Sequence, residues 1–150
     1  MRRLIPVMAV LVVAGSFLAF RPADTTSDAG ELVGVWKLVH RTSPAGEGSE
    51  VTDPNLLIYT EGYYASLGGS ADREELPEEP TDEQRLAAWG PFGANAGSYE
   101  VRSNERHSTV IIAKNPNAIG AERVATFVVE GNSLTVTQSN GAVLRYTRLE

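Results

Sequence analysis

The sequence predicts an all-β fold, a small antiparallel up-and-down barrel of about eight strands with one short helix near the barrel mouth. Three observations carry that prediction. Short segments rich in Val, Ile, Thr and Tyr recur from residue 32 to residue 149, punctuated by Gly, Asn, Asp and Pro. Gly131-Asn132 and Asn140-Gly141 read as tight hairpin turns, and Asn-Gly is the strongest short hairpin signal. Gly34 stands two residues before Trp36 in the first patterned segment. A Gly within a strand marks a bend or a close backbone approach, and the Trp beside it is large enough to plug one end of a small barrel.

The chain of 150 residues divides into a leader at 1–20, a polar linker at 21–30 and one domain at 31–150. Met1-Arg2-Arg3 is a basic start, and Leu4 to Phe20 carries no charge. Basic, apolar, then small residues is the layout of a secretory signal. The leader therefore predicts export, to the periplasm or beyond. It is removed on export, or residues 4–20, just short of a spanning length, stay as an N-terminal membrane anchor. Arg21 to Gly30 is rich in Asp, Thr and Ser and reads as a flexible tether.

Within the domain, Leu32 to Arg41 reads as the first strand, and Thr42 to Pro54, with two Pro and two Gly, as a loop. Leu56 to Thr60 and Tyr63 to Leu67 form a hairpin through Glu61-Gly62. Asp72 to Glu83 is strongly acidic and lacks the alternating carboxylate spacing of a calcium loop, so it reads as solvated surface. Inside it, Thr81 caps a helix and Gln84, three residues on, reaches back in a capping box. That helix runs to about Trp89 and stops at Gly90-Pro91. Leu86 and Trp89 share one face of it, which predicts a helix lying across the barrel opening.

After Gly93 the pattern is purely β. Strands are expected at Gly97 to Arg102, His107 to Ala113, Ala121 to Glu130, Ser133 to Gln138 and Ala142 to Leu149. Asn115-Pro116-Asn117 is a loop. In the last strand Leu144, Tyr146 and Arg148 share one face. An inward Arg is costly unless paired, and a Trp ring can partner it.

Four segments in order resemble the bacterial lipocalin-like domain family, a calycin-type barrel. They are Leu32-Val33-Gly34-Val35-Trp36-Lys37-Leu38-Val39, Leu57 to Tyr63, Ala96 to Val101, and Asn115-Pro116 with Gly120 behind it. The resemblance covers roughly residues 31–150 and implies that an Arg of the last strand packs over the Gly-x-Trp tryptophan. Gly34, Trp36 and Arg148 are thus expected to close the barrel base as a structural group.

Composition excludes several function classes. The net charge of -6 argues against nucleic acid. Without Cys there is no disulfide, thiolate zinc site or thiol nucleophile, and with two His, at 40 and 107, a transition-metal site is not expected. No phosphate loop, nucleophile elbow or His-Glu-x-x-His is present. No cofactor and no catalytic residue is assigned. What remains is a lumen. Tyr59, Tyr63, Trp89, Phe92, Tyr99, His107 and Arg123 are the residues expected to meet a ligand there. The leading reading is an exported lipocalin-like protein that binds a small apolar or amphipathic molecule. Two alternatives stay open. One is a cofactor-free enzyme of isomerase or cyclase type, in which His107 and Arg123 share the lumen as proton-transfer and anion-holding groups. The other is a cell-envelope protein that acts through a protein partner.

Overall fold

A computed structural model describes residues 28–150. The leader and most of the linker lie outside the described residues. Nine strands follow in chain order: β1 (Gly34–Thr42), β2 (Gly48–Glu50), β3 (Asn55–Thr60), β4 (Tyr63–Gly68), β5 (Gly93–Arg102), β6 (Glu105–Ala113), β7 (Glu122–Glu130), β8 (Ser133–Gln138) and β9 (Val143–Arg148). Two short helices, α1 (Ala29–Leu32) and α2 (Asp82–Trp89), and a 3-10 turn at Pro116–Ala118 complete the described residues. The sheet order is β2-β1-β3-β4-β5-β6-β7-β8-β9, every pairing is antiparallel, and β1 also pairs with β9. That last pairing closes eight strands into a barrel and leaves β2 as an extra strand. Closure leaves the ring of strands without a free edge.

β1 carries three partners because it bends. Gly34 to Trp36 pair with β3, while His40 to Thr42 pair with β2, within the stretch read from sequence as a loop. The interval between them is bridged by a side chain. Asn55 Oδ1 accepts from the Leu38 amide at 2.6 Å, and Asn55 Nδ2 donates to the Leu38 carbonyl at 3.1 Å. The amide group thus takes the place of one backbone rung. On the β9 side the register slips between Leu38 and His40. The bulge turns His40 outward, opposite Arg145, and Arg41 inward, opposite Leu144.

The base is closed. Trp36 and Leu32 are wholly buried, and the Trp36 indole donates to the Leu32 carbonyl at 2.8 Å. The Arg148 guanidinium lies 4.0 Å from the Trp36 ring centroid. It also donates to the Val33 and Glu31 carbonyls, both at 2.7 Å. Gly34 is required here: a Cβ would stand 2.4 Å from the Glu150 carbonyl oxygen and 2.7 Å from Arg148 Nη1. Leu32 therefore does not begin the strand but ends α1, a turn capped by Asp28. Residues 28–30, assigned to the linker on composition, belong to this plug. Above it Tyr59, Tyr99, Phe127, Leu134 and Val136 fill the lower barrel.

α2 starts as expected, with Thr81 and Gln84 forming the reciprocal capping box. It does not lie across the opening. No α2 residue is buried, and Leu86 and Trp89 are 70% and 54% exposed. The helix is held beside the mouth by its C-terminal carbonyls. Lys114 Nζ, just past β6, donates to the carbonyls of Trp89, Gly90 and Phe92, and Arg73 Nε donates to Ala88 at 3.0 Å. Two cations thus satisfy the orphan carbonyls that every helix end presents.

Candidate functional site

Antiparallel partners point to the same side of a sheet, so the register fixes which residues face the lumen. On β6 the inward set is Arg106, Ser108 and Val110, opposite Val101, Tyr99 and Gly97 of β5. On β7 it is Arg123, Ala125 and Phe127. β4 and β5 contribute Tyr64, Ser66 and Asn95, and β8 and β9 contribute Val136, Gln138, Leu144 and Tyr146. Together with Leu38, Arg41 and Leu57 these residues line a cavity of about 700 Å³ in the upper barrel. The volume lies within the range of small-molecule sites. Its rim is formed by 49–56 on one side and by Leu67 to Ser70, Pro91 and Gly93 on the other.

The cavity wall is mixed, with a large polar share beside its leucines and valines. Arg41, Arg106 and Arg123 all face it. No carboxylate among the described residues forms a salt bridge with any of the three. Glu50 and Asp53 stand at the rim, where Asp53 Oδ1 is engaged by the Ala71 amide at 2.9 Å. Arg106 is the deepest cation: its Nη1 donates to the Tyr59 hydroxyl, and its CZ lies 5.9 Å from the Tyr59 ring centroid. Three buried polar atoms beside it, Arg106 Nε, Tyr64 Oη and Asn95 Oδ1, have no hydrogen-bond partner. Ser108 Oγ donates to the Arg123 carbonyl at 3.3 Å, and the Arg123 side chain is exposed at the cavity wall. Burial raises the Tyr59 and Tyr64 hydroxyls above the usual phenol range, opposed by Arg106 at both and by Arg123 at Tyr64. Tyr146 is pushed up to about 12 by burial.

The residues proposed from sequence distribute unevenly over this geometry. Arg123 faces the cavity. Tyr59 and Tyr99 point inward but lie below it, packed edge to face with centroids 5.0 Å apart, and the Tyr99 hydroxyl donates to the Thr60 carbonyl at 2.9 Å. Tyr63 faces out and is 61% exposed; the inward tyrosine of that strand is Tyr64. Trp89 and Phe92 stack on each other outside the barrel, 5.5 Å apart, beneath Lys114 and Arg73. His107 is on the outer face, 3.1 Å from Glu105. Because Ser108, not His107, is the residue opposite Arg123, the imidazole and the guanidinium stand on opposite sides of the sheet. They cannot act on one bound molecule.

Arg106, Arg41, Tyr64 and Asn95 were missed. β6 is apolar on both faces near its end, with Val110 inward and Ile111 outward, so alternation alone does not choose its lumen side. The signal for Arg106 is Gly97. A Cβ there would stand 1.9 Å from the Thr109 carbonyl oxygen, and the register slips beside it. Glycine at the centre of a strand thus marks where β5 and β6 fold tightly together. Arg41 depends on the β1 bulge, which no local motif announces.

A closed eight-stranded antiparallel barrel with a plugged base and a chambered upper half defines the class: the fold is lipocalin-like, of calycin type. Two solved structures share it. A lipocalin-like protein from Bacteroides uniformis superimposes with a TM-score of 0.57 at 14% identity, over 80% of this chain and 100% of that one. An uncharacterized protein from Bacteroides eggerthii does so with a TM-score of 0.52 at 13% identity, over 78% and 98%. No protein-family model and no curated protein matches the sequence.

Proposed function

We propose that this protein is an exported small-molecule carrier whose ligand sits in the upper barrel. The carrying observation is the cavity of about 700 Å³, open at one end and walled below by a packed aromatic layer. A barrel built only for stability gains nothing by leaving such a space, since interior voids are destabilising. Export is supported by the basic and apolar order of residues 1–20. The mixed wall, with Leu38, Leu57, Val136 and Leu144 beside arginines and amides, suits an amphipathic cargo better than a purely apolar one.

Native mass spectrometry of the protein purified from its own cells tests this reading. The expected result is an adduct of one small molecule per chain, released on denaturation. A mass equal to the bare polypeptide, together with no uptake of added amphiphiles, overturns it. The same spectrum reports whether the leader is retained.

A further inference from the structure

We propose that Arg106 and Arg123 bracket the anionic head group, a carboxylate or a phosphate, of a ligand that enters the barrel head first. The inference rests on the carrier reading and narrows it to a ligand class.

The argument begins with register. Arg106 is opposite Ala125, and Ser108 is opposite Arg123, so the two arginines are diagonal neighbours on one face of the β6–β7 ladder. Diagonal positions are on the order of 7–8 Å apart, within the combined reach of two long side chains. Arg106 is half-buried and Arg123 is exposed toward the open end, and like charges so placed repel. Among the described residues no carboxylate pairs with either arginine. Two guanidinium groups on one inner wall with no protein carboxylate between them offer an anion two matching partners at once.

Tyr64 lines the same chamber as the two arginines, and a carboxylate or phosphate offers several lone pairs at once. Guanidinium forks match the oxygen pairs of both anions. Arg106 is anchored below by the Tyr59 hydroxyl, which orients its free edge upward into the cavity. The head group therefore faces the two arginines, and the apolar part lies along Leu38, Leu57 and Leu144 of the wall.

Calorimetric titration of the full chain with dodecanoate, dodecyl phosphate and dodecan-1-ol provides the test. At least one anion is expected to bind 10-fold or more tighter than the alcohol, and which anion does so distinguishes a fatty-acid-like source from a phosphorylated lipid. Arg123→Gln, which removes no hydrogen bond within the described residues, is expected to weaken that anion about 10- to 100-fold and leave the alcohol unchanged. Arg106→Gln should do the same, and Arg106→Lys should restore part of the affinity. Equal binding of alcohol and anions overturns the head-group site but leaves the carrier reading standing. Anion affinity unchanged in Arg123→Gln also overturns the site. Failure of all three probes to bind overturns both.

Discussion

Arg148 illustrates how one side chain joins distant parts of the chain. It stacks on Trp36 and donates to two carbonyls of the segment that carries Leu32 into the base. Arg148→Met keeps the aliphatic stem but removes the charge and its donors. Unfolding free energy from urea titration is expected to fall by about 2–4 kcal/mol, combining the cation–π and charge-assisted terms. Alternation puts Arg148 on the side of Leu144 and Tyr146, and the resemblance to lipocalin-like domains supplies its partner by implying an Arg of the last strand over the Gly-x-Trp tryptophan. The lumen cations were less legible from the sequence. Arg106 and His107 are adjacent, so a choice of face for one excludes the other, and the apolar run at 110–112 supports either choice.

At the scale of elements, α2 is the instructive case. Its start followed from Thr81 and Gln84, a local rule that needs no tertiary context. Its position did not follow from Leu86 and Trp89, because two apolar residues make too narrow a stripe to bury a helix. Polar anchors decide instead. Lys114 gathers three carbonyls at the helix C-terminus while its ammonium lies 5.3 Å from the Trp89 ring centroid. In Lys114→Met the amides of 82–89 are expected to exchange with solvent about 10-fold faster, with the barrel strands unaffected. Native-state hydrogen exchange resolved by residue checks this. Equal acceleration in β5 and β6 would assign Lys114 to the barrel rather than to the helix.

The whole molecule concentrates its tyrosines around the lumen, and this makes its stability sensitive to alkali. Tyr59, Tyr64, Tyr99 and Tyr146 are all raised above the ordinary phenol value of 10.0, each chiefly by burial, Tyr146 to about 12. The unfolded chain releases these protons first. Stability is therefore fully present below pH 10 and is lost as pH rises toward 12. Tyr146 alone accounts for about 2–3 kcal/mol of that loss. Urea midpoints measured between pH 8 and pH 11.5 are expected to fall steadily above pH 10, and less steeply in Tyr146→Phe. A flat profile would mean that the ring hydroxyls reach water in the folded state. The barrel itself was readable at this scale because hairpin turns, strand lengths and alternation agree from Tyr63 onward. The closing bulge at Val39, the Asn55 bridge and the strand at 48–50 depend on contacts between distant segments, which no window of sequence contains.

The β1–β9 seam also governs how the molecule assembles in time. Trp36 cannot find its cation, nor β1 its closing partner β9, until Arg148 has been synthesised, after the other eight strands of the described residues. Joining positions so far apart carries the largest loop-closure entropy in the fold. A nascent chain interrupted anywhere before that strand is an open sheet with two bare edges and an unplugged floor. Non-local pairing of this kind folds slowly, on the millisecond-to-second scale rather than in microseconds. The ring that protects the finished protein from edge-to-edge association is absent until β9 has been made, the interval in which a chaperone would have most to hold.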